Sequence, residues 1–179
     1  GSEVLPGCTI KTITWTSSGT TNYYSIDYST DNGSTWTSIT SFYNTVSGTY
    51  NWTVPNTSSG ICLIRIVDSN NSSIFDISDA VFTVTSPLTV NAPNGGESWQ
   101  AGTSKSIQFN ASGTSNYYDI YYSTNAGANW TSVATNTYNV SGTYNWNVPN
   151  TPSTNCLVKI SDHSNTCMTD ISNGLFTIT

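Results

Sequence analysis

The chain reads as short runs in which every second residue is apolar. Ile13 and Trp15 share one side of residues 11–15. Tyr24, Ile26 and Tyr28 do so in residues 23–29, and Tyr50, Trp52 and Val54 in residues 49–54. In residues 62–67, Cys62, Ile64 and Ile66 point one way while Leu63 and Arg65 point the other. Residues 35–39 and 80–84 are further short strands. Period two marks a half-buried strand, and no stretch shows the 3.6-residue period of an amphipathic helix.

The pattern is written twice. Residues 3–85 align with residues 97–179 at a constant offset of 94, without a gap, and 41 of the 83 pairs are identical. Trp36 pairs with Trp130, Trp52 with Trp146, Pro55 with Pro149 and Cys62 with Cys156. A period this long suits a small complete domain rather than a solenoid unit. Six or seven strands per repeat predict two tandem antiparallel β-sandwiches of immunoglobulin or fibronectin III type, over residues 1–86 and 87–179. Residues 88–95 open the second repeat and have no counterpart in the first, which is expected to lack its opening strand. Gly1-Ser2 reads as a cloning scar. A short linker stiffened by Pro87 joins the two.

Composition narrows the function. Charged residues make up 8% of the chain, against roughly a quarter in ordinary globular domains. Six Trp and 11 Tyr supply core material that a disordered polar tract would lack. The net charge is -6, with only four basic residues. Nucleic-acid binding needs a basic footprint, so that class is excluded. No apolar run approaches the roughly 20 residues of a membrane span, and a monomer is expected. Four cysteines point to an oxidising, extracellular setting. They allow three pairings. Cys8–Cys62 and Cys156–Cys167 keep each bond within one repeat and are the expected pair; free, buried thiols are the alternative.

Several motifs suggest chemistry, and each has a structural reading. Residues 29–36, Ser-Thr-Asp-Asn-Gly-Ser-Thr-Trp, match the Asp-box pattern S-x-D-x-G-x-T-W of sialidase propellers. The physical reading is a hairpin turn: Asp31 accepts turn amides, Gly33 takes a positive φ and Trp36 plugs the turn. A sialidase needs an arginine cluster, and Arg65 is the sole arginine. Asp68 and Asp76, repeated as Asp162 and Asp170, are candidate calcium ligands or turn caps. No other cofactor is implied. His163 is the only histidine and aligns with Ser69, so no shared relay uses it. Metal-binding Cys and His spacings are absent, and no carboxylate pair shared by both repeats suits a glycosidase. The chain is expected not to be an enzyme.

Aromatic side chains remain. Trp15, Tyr24, Tyr28, Trp36, Tyr50 and Trp52 sit at core parity. On the opposite face of the second strand lie Tyr23, Ser25 and Asp27 in repeat 1, and Tyr117, Asp119 and Tyr121 in repeat 2. Phe42, Tyr43 and Trp99 are expected in turns or loops. Exposed rings stack on sugar faces while Asp and Ser bind hydroxyls. Tyr23, Asp27, Tyr117, Asp119, Tyr121 and Trp99 are therefore the candidate carbohydrate-binding residues.

The second repeat opens Ala92-Pro93-Asn94-Gly95-Gly96-Glu97-Ser98-Trp99, then carries Trp146-Asn147-Val148-Pro149 and Cys156-Leu157-Val158-Lys159-Ile160-Ser161-Asp162. This set resembles a family of immunoglobulin-like repeats in large bacterial secreted and surface proteins, grouped with Ser/Thr-rich fungal cell-wall proteins of the Knh-like type. The resemblance implies a non-catalytic appendage, beside a polysaccharide-degrading or adhesive domain and ahead of a C-terminal sorting signal, many examples coming from Bacteroidetes. Repeat 1 departs from it, with Leu5 in place of Trp99 and Cys8 in place of Gly102. It transfers no functional residue. The expected function is an accessory module, secreted or at the cell surface, that binds polysaccharide or presents a partner. The alternative is a pure spacer.

Overall fold

The computed structural model describes residues 1–179. The chain divides into two compact units, Gly1–Ser86 and Pro87–Thr179. Both are all-β.

Unit 1 has eight strands: β1 (Val4–Pro6), β2 (Ile10–Thr14), β3 (Tyr23–Ser29), β4 (Thr37–Asn44), β5 (Thr49–Thr53), β6 (Ser59–Asp68), β7 (Asn71–Ile77) and β8 (Phe82–Thr85). One sheet runs β1-β8-β6-β3-β4, with β7 also on β6, and the other pairs β2 with β5. All pairings are antiparallel except β1 with β8. Unit 2 has nine: β9 (Leu88–Ala92), β10 (Ser98–Trp99), β11 (Ser104–Ala111), β12 (Tyr117–Ser123), β13 (Thr131–Tyr138), β14 (Thr143–Asn147), β15 (Ser153–Asp162), β16 (Thr169–Ile171) and β17 (Phe176–Ile178). Its larger sheet runs β10-β17-β15-β12-β13, with β16 on β15, and its smaller one runs β14-β11-β9. Each unit is a two-sheet sandwich of the predicted class.

Alternation builds the cores. Trp52, Val54, Cys62, Phe82 and Val84 are buried together in unit 1. Unit 2 buries a larger set that includes Leu88, Val90, Ile107, Phe109, Tyr118, Ile120, Trp146 and Ile160. Each such side chain contributes about 1.5–3 kcal/mol on burial. Strands β1 and β7 lie outside the predicted set. Strand β7 is rich in Asn and Ser and largely exposed, so backbone pairing to β6 holds it and no apolar alternation announces it. Phe42 and Tyr43, expected in loops, are part of β4.

The turns follow their residues. In the β3–β4 hairpin, Asp31 accepts from Thr35 N (2.8 Å), Thr35 Oγ1 (2.6 Å) and Ser29 Oγ (2.7 Å). Those bonds, the Thr35 hydroxyl foremost, lower its pKa to about 2. Asn125 takes the same place in unit 2, accepting Asn129 N at 2.8 Å. An amide oxygen serves as well as a carboxylate here, so the turn is structural in both copies. Gly33 and Gly127 adopt φ of 83° and 87°. The P-N-G-G-E stretch is also a closed turn: the Glu97 carboxylate accepts Asn94 N (2.7 Å) and Gly95 N (2.8 Å).

The cysteines depart from expectation. Cys62 and Cys156 are free and buried, while Cys8 and Cys167 are the disulfide-bonded ones. Neither Cys8–Cys62 nor Cys156–Cys167 forms. The reason is strand parity: Cys62 sits opposite Phe82 and Cys156 opposite Phe176 in the registers of β6 and β15, facing the cores. Their Sγ–H groups donate to Ser59 O and Ser153 O, and burial pushes the Cys156 thiol up. An alkylating reagent should therefore label no cysteine in the native chain. Denaturation without reductant should expose Cys62 and Cys156 alone, and reduction should add Cys8 and Cys167. Mass spectrometry of the alkylated peptides reads the result; labelling of Cys8 before reduction would contradict it.

Candidate functional site

Strand β12 turns Tyr118, Ile120 and Tyr122 into the core. That parity leaves Tyr117, Asp119 and Tyr121 on the outer face. Neighbouring strands complete a strip there, since Tyr117 faces Tyr138 on β13 and Tyr121 faces Lys159 on β15. The Tyr117 and Tyr138 rings lie 5.2 Å apart at 55°, and are 42% and 61% exposed.

Beside them, Asp119 accepts Asn136 N at 2.8 Å and meets His163 Nδ1 at 3.0 and 3.1 Å. Cross-strand placement, not adjacency in the chain, brings Asp119 to His163. No hydroxyl or thiol hydrogen-bonds the His163 ring, so no nucleophile is paired with this base. At the other end of the strip, Lys159 Nζ lies 4.8 Å from the Tyr121 ring centroid and 4.7 Å from that of Trp130. The cation occupies a ring face that a sugar would need.

Unit 1 has a related outer face. Tyr23 packs on Phe42, with centroids 5.3 Å apart at 47°. Asp27 is committed to Arg65, which it holds at 2.8 and 3.1 Å, and the Arg65 guanidinium lies 4.5 Å over Trp36. Trp36 therefore plugs its hairpin from outside and takes no part in the unit 1 core cluster. Ser25 bonds Ser69 at 3.0 Å.

Trp99 does not belong to any such surface. It lies in β10, 8% exposed, against Trp146 at 6.0 Å and Phe176 at 5.3 Å. Its parallel pairing with β17 seats the ring in the core, and the expectation of a loop aromatic is corrected.

The four carboxylates divide into two pairs. Asp68 is buried and accepts Thr21 N (2.7 Å), Thr21 Oγ1 (2.7 Å) and Asn70 N (2.9 Å). Asp162 is buried and accepts Ser115 N (2.6 Å), Ser164 N (2.9 Å) and Asn165 N (2.8 Å). These are capping geometries. Asp170 accepts Val90 N at 2.7 Å, and Asp76 is exposed. No group of three or more His, Cys, Asp or Glu side chains comes together to hold a metal, and no helix is long and apolar enough to cross a membrane.

Tyr138, Asn136 and Lys159 were missed as site residues because strip membership depends on strand register. Strand β13 shows no apolar alternation, so nothing local marked Tyr138.

No family model matches the chain, and no curated protein matches it. Among solved structures, it is similar to the fibronectin(III)-like modules of Clostridium thermocellum CbhA, at 14% identity and a TM-score of 0.38, over 99% of this chain and 90% of that one. It is also similar to the FN1–FN3 domains of chicken CNTN1, at 13% identity and a TM-score of 0.36, over 97% of this chain and 62% of that one.

Proposed function

We propose that the chain is a non-catalytic accessory module of a secreted or cell-surface protein, and that it binds polysaccharide or a surface glycan through the outer faces of its larger sheets. One observation carries the reading. Both units place an aromatic pair on the outer face at the start of the equivalent strand, exposed in unit 2 and with Tyr23 half-buried in unit 1, and the partner ring comes from different alignment positions: Tyr117 with Tyr138, and Tyr23 with Phe42. A ring pair with open faces offers a stacking platform. In unit 2, Asp119 and His163 stand beside it as hydrogen-bonding groups. The motif resemblance to bacterial surface repeats supports the same reading.

Affinity electrophoresis against a panel of soluble polysaccharides tests it. Tyr117→Ala and Tyr138→Ala should each weaken retention about fivefold, with the melting temperature nearly unchanged because both rings lie outside the core. Retention lost together with folding would mean that the rings are structural. No retardation on any glycan would favour the spacer.

A further inference from the structure

Three Asn-Gly pairs occur in the chain: Asn32-Gly33, Asn94-Gly95 and Asn173-Gly174. This dipeptide can react with itself. Glycine has no Cβ, so its backbone nitrogen can reach the side-chain amide carbon of the asparagine before it. The fold treats the three pairs differently.

In the β3–β4 hairpin, Gly33 N donates to Ser29 Oγ at 2.8 Å, and Asn32 N donates to Ile61 O at 3.0 Å. In the turn before β10, Gly95 N donates to the Glu97 carboxylate at 2.8 Å. The Asn94 side-chain oxygen accepts Asn173 N at 2.6 Å. Both pairs therefore hold the attacking nitrogen, and the second also holds the amide under attack. Asn173-Gly174 lies between β16 and β17 with neither restraint. The Asn173 side chain is exposed and makes no hydrogen bond, and Gly174 N makes none. Unit 1 carries Asp79-Ala80 at the aligned positions, so an aspartate is compatible with this turn.

We propose that Asn173 is a self-modifying site that deamidates in the folded protein. Gly174 N loses its proton to solvent base and bonds to the Asn173 side-chain carbon. The C–N bond of the side-chain amide breaks and ammonia leaves. Water then opens the cyclic imide at either carbonyl, which leaves aspartate or isoaspartate at position 173. Both products add a negative charge. Isoaspartate also adds a methylene to the main chain where the turn has least room: a Cβ on Gly174 would meet Gly95 Cα at 3.0 Å. The bonds that span this contact run from Asn173 N to Asn94 and from Gly96 N to Leu175 O, at 2.6 and 2.8 Å. They hold residues 94–97 in front of β10, so their loss loosens the strand that seats Trp99.

The full chain is aged at mildly alkaline pH, digested, and its three Asn-Gly peptides are resolved by mass spectrometry. Modification at Asn173 is expected about tenfold faster than at Asn94, where the bond to the Glu97 carboxylate must first break, and faster than at Asn32. In urea the three rates should converge, because folding alone separates them. Asn173→Asp should keep the melting transition of unit 2, while the aged isoaspartyl fraction should melt lower. Equal rates in the folded chain would overturn the proposal, as would a faster rate at Asn94 or Asn32. Rates that stay equally far apart in urea would also overturn it, since the fold would then not be what selects Asn173. An isoaspartyl fraction that melts with the fresh chain would sink the loosening of β10.

Discussion

Trp99→Ala is expected to unfold unit 2 while leaving unit 1 in place. The ring is 8% exposed and lies against Trp146 and Phe176. Truncating a buried Trp costs about 3–5 kcal/mol, from lost transfer energy and the cavity left behind. For a domain of roughly this size each kcal/mol is worth about 4–8 °C in melting temperature, so the second transition of a calorimetric scan should fall far below that of the intact chain. Leu5 fills the equivalent position in unit 1, and the first transition should stay where it is. A glycan-binding Trp99 would behave the opposite way, with retention lost and both transitions kept. That outcome would restore the loop aromatic inferred from the sequence.

Asp162→Ala carries the second large effect. Its carboxylate is buried and accepts three backbone N–H groups, from Ser115, Ser164 and Asn165. Removing it strands those donors in a closed turn, at about 3 kcal/mol or more. Asp162→Asn keeps one acceptor oxygen and should lose about half as much. The pH dependence has a definite sign. Burial works to raise the Asp162 pKa, but the bonds from Ser115 and its neighbours outweigh it and the folded value is lowered. A carboxylate depressed in the folded state stabilises fully above its unfolded value of about 3.9, and that contribution drains away as pH falls through the folded value. Chemical denaturation of wild type and Asp162→Asn at a series of pH values from neutral downward should show the gap between them closing below about pH 4. A constant gap would mean that the charge is not what the cap uses.

Much of the architecture was readable along the chain. Tyr24, Ile26 and Tyr28, or Tyr118, Ile120 and Tyr122, declare both a strand and the side that faces inward, because side-chain direction alternates locally and needs no knowledge of the partner strand. The Asp-box octet declared its hairpin for the same reason: Asp31, Gly33 and Thr35 bond within the turn itself. Strand β7 stayed hidden, since its backbone pairs with β6 while its side chains are largely exposed and show no alternation.

The functional face was only half visible. Parity put Tyr117, Asp119 and Tyr121 on one side of β12, but which of them remain available is a question of neighbours. Lys159 arrives from β15 to cover Tyr121 and Trp130, Arg65 arrives from β6 to occupy Asp27, and Tyr138 arrives from β13 to make the exposed pair. The cysteines show the same limit. Pairing by sequence economy ignored that Cys62 and Cys156 sit at inward positions, opposite Phe82 and Phe176.

The alternation and its doubling were enough by themselves to determine two all-β units, most of their strands and most of their inward faces, because those properties arise from neighbouring residues in the chain. Tertiary structure alone decided that Trp99 is core, that Asp119 meets His163, and that Tyr138 joins Tyr117. Each of these depends on register between strands far apart in sequence, and hydrogen-bonded pairing at a distance leaves no local trace.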